Sequence, residues 1–297
     1  MRLALRELWR RPGPFVVAGA ILTLIALLLM FLGALLDGLL DSSTGAYRAQ
    51  EGQLIVYSSD ARESLVRSRI TPETREEVER VQGVRDVGGL GSVQLGARPS
   101  DEPRTRDLVS TVLFGYELAA RRLPETPPPT GSVIADSTLR SEGFDRGDTL
   151  LLGPNRSRVS IVGFVDDTRY AGQVSLWGSV DTWRKVLAEN RPGQAPGDTV
   201  QALVVTVDGD ADQVSSAIDA ATDNETKSLT LADAIEALPG VSQQRSTFNQ
   251  IIGVTALVAL VVVALFFALI TIERLGLYGI LKALGASSSS LFLGVVT

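Results

Sequence analysis

Two long stretches without a charged residue dominate the hydropathy pattern of this 297-residue chain. They run over Phe15–Leu36 and Ile251–Ile272, and each has 22 residues. A helix of that length, at about 1.5 Å per residue, measures about 33 Å and can cross the roughly 30 Å apolar core of a bilayer. The pattern therefore predicts TM helix 1 over 15–36 and TM helix 2 over 251–272. A further apolar run, 291–297, is predicted to start a third transmembrane helix.

A cleaved signal peptide is the alternative for the first apolar run. The apolar stretch of a signal peptide has about 7–15 residues and is followed by a small-residue cleavage site. This run is longer, and the residues after it, DGLLD at 37–41, contain no such site. The sequence therefore favours an uncleaved membrane anchor.

Basic residues mark the side of the membrane on which the two ends of the chain lie. Four arginines precede the first run, and Arg274 and Lys282 follow the second. The positive-inside rule places both flanks in the cytoplasm. The segment between them, 37–246, has 22 basic and 32 acidic residues and is placed outside. The sequence thus predicts a multi-pass protein of the cell membrane with a large extracytoplasmic domain.

The first 14 residues are predicted to form a cytoplasmic amphipathic helix. Arg2, Arg6 and Arg10 recur every four residues and share one helical face, while Trp9 lies with leucines on another. Such a helix lies on the inner leaflet, with arginines toward lipid phosphates and the indole at the interface. These four residues are the candidate membrane-interface residues. A simple charged stop before the span is the alternative.

The extracytoplasmic segment alternates the patterns of strands and helices, which predicts an α+β core domain over 37–250. Strands are predicted at 53–58, 84–95, 133–135, 149–152, 159–165, 174–177 and 200–207, and helices at 71–83, 181–189, 210–221 and 230–238. This alternation suggests helices packed on one face of a sheet.

Two proline-rich stretches, 124–130 and 190–198, read as semi-rigid linkers within the core domain. They enclose an inserted β-rich subdomain, predicted over 131–189. The segments next to the two spans, 37–50 and 241–250, are predicted to continue the transmembrane helices outward as a stalk.

Composition excludes several kinds of chemistry. The chain has no Cys and no His, so disulfides, Cys/His metal sites and His-based triads are excluded. It has no phosphate-binding P-loop, and its net charge of −6 argues against nucleic-acid binding. Asp166-Asp167 and the DGDAD run at 208–212 are the acidic clusters that could hold a cation or act as acid and base. A turn followed by a helix N-cap explains the DGDAD run better, so no catalytic, metal or cofactor site is assigned.

A short apolar stripe follows the second span, in a cytoplasmic segment predicted over 273–290. Leu277, Ile280, Leu281 and Leu284 fall on one face of a helix. The segment is too short to form its own core, so this stripe is expected to pack against lipid or to dock on another protein. Gly279 and Gly285 allow close backbone approach, and Gly285 can end the helix.

Several motifs together resemble one family. Glu273–Ser287 reads E-R-x-x-x-x-G-I-L-K-A-L-G-A-S and is similar to the loop after the second span in permeases of the FtsX/MacB superfamily of ABC transporters (type VII). LALRELWRR before the first span resembles the amino-terminal helix of that family. GVRDV at 83–87, the stretch 133–153 and VSIVGFV at 159–165 resemble its MacB-type periplasmic core.

The resemblance implies a transporter permease subunit without an ATPase site of its own. Family permeases have four spans, form dimers and bind two cytoplasmic ATPase subunits, whose ATP-driven closure is transmitted outward (mechanotransmission) or used for export. A homodimer, membrane lipids and an extracytoplasmic partner protein are the further partners expected. The implied ATPase-coupling residues are Glu273, Arg274, Leu277, Gly279, Ile280, Leu281, Lys282, Leu284 and Gly285.

Two departures from the family pattern stand out. Many relatives carry an acid at the position of Leu277, so a salt bridge made by that acid would be missing here. The sequence also stops at Thr297, seven residues into the third apolar run, as expected of a carboxyl-terminally truncated chain. A membrane-anchored sensor or receptor with a cytoplasmic partner-binding helix is the alternative function. An ectoenzyme is disfavoured because no nucleophile constellation is present.

Overall fold

The computed structural model describes residues 12–100 and 108–273. Contacts divide these residues into two parts, a helical part with 12–37 and 244–273, and a domain with 38–243, which we call the outer domain after its predicted location. The predicted amphipathic helix and the third apolar run therefore lie outside the described residues, apart from positions 12–14 of the former.

Two long helices carry the apolar runs. Helix α1 extends over Pro12–Arg48, 37 residues, and the last helix of the chain extends over Val241–Glu273, 33 residues. Stretches of both, Gly19–Arg48 and Val241–Phe266, are long and apolar enough to cross a membrane, judged by length and composition. Large apolar side chains such as Phe31 and Leu260 are about two-thirds exposed on them. Helices of this kind fit a membrane protein, since lipid is the solvent in which such exposure costs little.

The outer domain is a mixed α/β structure. Its strands are β1 (Leu54–Ser58), β2 (Val84–Pro99), β3 (Val109–Tyr116), β4 (Ser132–Asp136), β5 (Thr149–Leu152), β6 (Ser157–Val165), β7 (Val174–Ser179), β8 (Ala202–Val207) and β9 (Thr226–Thr230). Its helices are α2 (Pro72–Glu79), α3 (Thr138–Ser141), α4 (Val180–Asn190), α5 (Ala211–Ala221) and α6 (Leu231–Glu236), and the long helix that follows is α7 (Val241–Glu273).

All nine described strands join in one sheet of order β3-β7-β4-β6-β5-β2-β8-β1-β9. An additional antiparallel pairing of β2 with β3 closes the first six of them into a ring. Strand β2 makes this possible because it has 16 residues: its beginning pairs with β8, its middle with β3 and its end with β5. We call β2–β7 the six-stranded ring, and β8, β1 and β9 its extension.

The segment predicted as an inserted β-rich subdomain, 131–189, supplies four strands of the ring and α4. The other two strands of the ring, β2 and β3, come from the chain before this segment. Strand β2 of the ring also pairs with β8 of the extension, so hydrogen bonding is continuous between them.

Side chains alternate between two hydrophobic clusters along the strands, as the pleat requires. Leu54 and Val56 lie in one cluster with residues of α2, α4 and α5, whereas Ile55 and Tyr57 lie in the other. That second cluster contains residues of α6, the end of α1 and the first residue of α7. The expectation of helices on one face was therefore wrong. Strands such as β1 and β8 are apolar at successive positions, which requires a cover on both faces.

Local sequence accounts for where several helices start. The Thr71 hydroxyl accepts a hydrogen bond from the backbone N–H of Thr74 at the start of α2, where Pro72 is the first helical residue. The Asp210 carboxylate accepts from the N–H groups of Asp212 and Gln213 at the start of α5. The prediction that the DGDAD run is a turn and N-cap is thus confirmed.

Candidate functional site

The residues predicted to couple to an ATPase lie mostly outside the described part of the chain. Glu273 is the last residue of α7, and Arg274, Leu277, Gly279, Ile280, Leu281, Lys282, Leu284 and Gly285 follow it beyond the described residues. Arg2, Arg6, Trp9 and Arg10 also lie outside them. Their roles stay predictions. The candidate site within the described residues lies at the carboxyl end of α1.

The carboxyl end of α1, residues 38–48, is built into the outer domain. Ala46 is fully buried and Tyr47 is 1% exposed, although both belong to a helix whose earlier turns expose apolar side chains. They share a hydrophobic cluster with Tyr57 of β1 and with Leu238 and Val241. Val241 begins α7, so the residues at which the two long helices meet the outer domain pack in the same cluster.

Aromatic rings hold the last turn of α1 in place. The Tyr47 hydroxyl lies 2.9 Å from the hydroxyl of Tyr57, and both are buried. The Tyr47 ring stacks on Tyr170 with ring centroids 5.9 Å apart, and Tyr170 stands edge-on to Phe114, a residue of β3. Burial raises the pKa of the Tyr57 and Tyr170 phenols above the ordinary value. These phenols therefore remain neutral at physiological pH.

The connection between β6 and β7, residues 166–172, lies directly against α1. The N–H groups of Ala171 and Gly172 donate to the carbonyls of Ser43 and Ser42, each at 3.0 Å. In the other direction, the Ala46 N–H donates to the Arg169 carbonyl at 3.1 Å. We call residues 166–172 the clamp loop.

Glycine at position 45 allows this close approach. A β-carbon there would lie 2.6 Å from the Asp167 carbonyl oxygen and 2.9 Å from the backbone nitrogen of Arg169. Separations below 3.0 Å to backbone atoms require the loop to move. The glycine that weakens α1 as a helix former is therefore the residue that lets the clamp loop contact the helix.

Asp136, at the end of β4, anchors the clamp loop from the ring side. It is 1% exposed, and its carboxylate accepts four hydrogen bonds, from the backbone N–H and hydroxyl of Thr138 and of Thr168. Thr168 also contacts the Ser175 hydroxyl of β7 at 2.7 Å, and the Trp177 indole N–H donates to the same hydroxyl. A buried carboxylate is stable only when it is hydrogen-bonded in this way.

The sequence alone assigns no role to Asp136, although VIADST lies in the stretch 133–153 that resembles the MacB-type core. An aspartate at a strand end, followed by Ser and Thr, is typical of a turn in which the side chain binds nearby backbone N–H groups. Its second partner, Thr168, lies 32 residues further along the chain. No local pattern could have indicated that contact.

The acidic pair Asp166-Asp167 lies on the clamp loop between two open clefts. Asp167 pairs with Arg122 at 2.8 Å, and both side chains are largely exposed. A cleft of about 650 Å³ on one side is lined by residues that include Asp41, Ser137, Asp166 and Arg169. A second of about 340 Å³ is lined by residues that include Arg121 and Leu231. Within residues 12–100 and 108–273, no three His, Cys, Asp or Glu side chains group as they would around a metal ion.

These contacts attach the end of α1 to the sheet. A helix that continues from an apolar run is fixed to a β-structure by backbone hydrogen bonds, stacked rings and one buried carboxylate. Groups held in this way keep a fixed geometry and resist displacement.

The solved structures similar to the chain include a periplasmic region and an extracellular domain. The periplasmic region of MacB from Actinobacillus actinomycetemcomitans is 11% identical, with a TM-score of 0.43 over 63% of this chain and 92% of that one. The extracellular domain of the ABC-type transporter YknZ from Gram-positive bacteria is 13% identical, with a TM-score of 0.40 over 60% and 99%.

A third structure is a domain of a protein described as a permease, from Porphyromonas gingivalis. It is 13% identical, with a TM-score of 0.36 over 61% of this chain and 89% of that one. No family model matches the sequence. The solved domains similar to this chain thus include the MacB periplasmic region, the kind of domain that the sequence motifs resemble.

Proposed function

We propose that the chain is a permease subunit of an ABC transporter of the FtsX/MacB type. One observation carries the proposal: an outer α/β domain begins and ends in long apolar helices, and the first of these is continuous from Pro12 to Arg48, inside the domain's own core. A domain built in this way is suited to receive movement from the membrane. A domain on a flexible tether would not be.

The energy for that movement comes from a partner in this proposal. The chain has no P-loop, so ATP is hydrolysed by a separate cytoplasmic ATPase subunit. The apolar stripe of Leu277, Ile280, Leu281 and Leu284 docks on that subunit, and Lys282 and Gly285 belong to the same motif. Closure of two ATPase subunits against a homodimer of this chain then displaces α1 and α7, and the outer domain follows.

Affinity purification of the full-length protein from its native membrane tests the partner. We expect an ABC ATPase to purify with it. Burying a leucine side chain is worth about 1.5–3 kcal/mol, and about 1.4 kcal/mol corresponds to tenfold in affinity. Leu281→Asp or Leu284→Asp should therefore weaken the complex at least tenfold and abolish the stimulation of ATP hydrolysis by the permease.

Leu275→Asp is the matched control, because residue 275 falls on the opposite side of the predicted helix from the stripe. It should retain the complex and the stimulation. Equal binding and stimulation in all three variants would contradict the docking role of the stripe. Purification with a kinase or a transcription regulator instead of an ATPase would favour the sensor or receptor.

A further inference from the structure

We infer that the clamp loop passes the movement of α1 to the six-stranded ring, and that Asp136 is the positioning residue that holds the loop to the ring. This inference rests on the proposed function, because it assumes that α1 moves when ATP is hydrolysed. It assigns a path inside the outer domain and names the residues on which that path depends.

The first step of the path joins α1 to the clamp loop. Three backbone hydrogen bonds connect them, through Ser42, Ser43 and Ala46 on the helix. Backbone groups have no rotamers through which a displacement could be absorbed. Gly45 brings the two backbones so close that a single added methyl group would overlap the loop. The loop must therefore follow the helix.

The second step joins the clamp loop to the ring. The Asp136 carboxylate binds Thr168 of the loop with one oxygen and Thr138 with the other. Asp136 is the last residue of β4, and Ser175 of β7 contacts Thr168 from the neighbouring strand. The loop is thus fixed to two adjacent ring strands through buried polar contacts.

The chain that follows α1 enters the extension and not the ring. The chain continues from Arg48 into β1, which pairs with β8 and β9 in the extension and not with any strand of the ring. A displacement of α1 that travelled along the chain alone would reach the extension first. The clamp loop gives it a direct connection to the ring.

The exposed ion pair between Arg122 and Asp167 is not what fixes the clamp loop to the ring. Its side chains are 60% and 72% exposed, and pairs of that kind contribute little. The buried hydrogen bonds of Asp136 are different, because removing one partner leaves other buried polar groups without water or a hydrogen bond.

A distance measurement across the outer domain tests the inference. The chain has no cysteine, so spin labels at Lys227→Cys on β9 and Arg158→Cys on β6 report the separation of the ring from the extension. Both positions are exposed. The full-length protein, in lipid nanodiscs with its ATPase, is measured by pulsed electron resonance without nucleotide and with ATP plus vanadate. We expect the label distance to shift on nucleotide addition.

Two alanine variants of α1 form a matched pair. Gly45→Ala pushes the clamp loop away from the helix, whereas a β-carbon at position 38 meets nothing within 4 Å. Gly45→Ala should reduce the nucleotide-dependent shift to less than half, with ATP hydrolysis and complex formation unchanged. Gly38→Ala should keep the full shift. A full shift in both variants would overturn the inference.

A second pair covers the case in which Gly45→Ala fails to fold. Asp136→Asn replaces one accepting oxygen by an NH₂ group that cannot accept from Thr168 or Thr138. Its control is Asp219→Asn, because Asp219 also accepts from a backbone N–H and a threonine hydroxyl, those of Ser228 and Thr226. Asp136→Asn should lose more than half of the shift and Asp219→Asn should keep it.

The outcomes separate the two proposals. No shift in the unmodified protein, or no ATPase bound to it, argues against the proposed function. A normal distance shift in Asp136→Asn contradicts the role inferred for the clamp loop and leaves the proposed function intact. Equal loss of ATP hydrolysis and of the shift would indicate a general structural role for Asp136 and would also refute its assignment as a positioning residue.

Discussion

The hydroxyl pair of Tyr47 and Tyr57 gives the sharpest prediction about how α1 is held. The two oxygens lie 2.9 Å apart, both side chains are buried, and the two hydroxyls hydrogen-bond to each other. Replacing one tyrosine by phenylalanine leaves the other hydroxyl buried without a partner. That costs about 1–3 kcal/mol, whereas removing both partners is nearly neutral.

The magnitude translates into a measurable change in melting temperature. For a domain of about 200 residues, 1 kcal/mol lowers the midpoint by about 2–4 °C, so a loss of about 2 kcal/mol corresponds to about 4–8 °C. We expect a decrease of that size for Tyr47→Phe and for Tyr57→Phe. The double variant should melt within about 3 °C of the unmodified protein.

Tryptophan fluorescence of the full-length protein in detergent, recorded during heating, provides the assay. Trp177 and Trp183 are fully buried in the outer domain, and a Trp9→Phe background restricts the signal to them. Tyr47→Phe combined with Asp210→Ala is the control for additivity, because Asp210 caps a helix packed in the other hydrophobic cluster. Effects at independent sites add within about 0.5 kcal/mol. If the double phenylalanine variant were destabilised by the sum of the single changes, the reasoning about a paired hydroxyl would be refuted.

Two further predictions concern the outer domain. Burial raises the pKa of Tyr116 to about 12 and also raises the pKa of Tyr170, so the unfolded chain, with phenols near pKa 10, loses protons first. Stability should be full below about pH 10 and fall from there toward pH 12; urea midpoints between pH 8 and 11.5 measure this, and a flat profile would contradict it. Asp210→Ala should cost about 1 kcal/mol through loss of the N-cap of α5. Glu125→Ala, at an exposed position outside the helices and strands, should leave the urea midpoint nearly unchanged. Equal midpoints for both variants would show that the cap does not stabilise the domain.

Most secondary structure of the outer domain follows from local sequence. The sequence predicts β5 with its observed bounds, and α4 and α5 within a residue of theirs. It does not predict strand β9, TKSLT, because the polar composition of β9 carries little strand signal and its pairing with β1 defines it. Strand β3 is not among the predicted strands either, although VSTVLFGY has the composition of a strand.

The contacts that make up the candidate site were beyond prediction from one sequence. Closure of the ring depends on β2 pairing with both β3 and β5, and no local pattern specifies that. The bond between Asp136 and Thr168, and the seat of α1 on residues 169–172, join positions far apart in the chain. From the sequence, Gly45 only lowers the helix propensity of its segment. The contact that requires a glycine there is made by a loop more than a hundred residues away.

The long separation between α1 and its clamp loop also bears on biosynthesis. The helix is translated and inserted first, but Asp167 to Gly172, against which it packs, emerge roughly 120 residues later. At typical translation rates of about 5–20 residues per second, the clamp-loop partners of Ala46 and Tyr47 are synthesised many seconds after them. Chains whose contacts are distant in sequence also fold slowly. The nascent domain therefore passes through a period in which the last turn of α1, buried in the folded protein, has no clamp-loop partners.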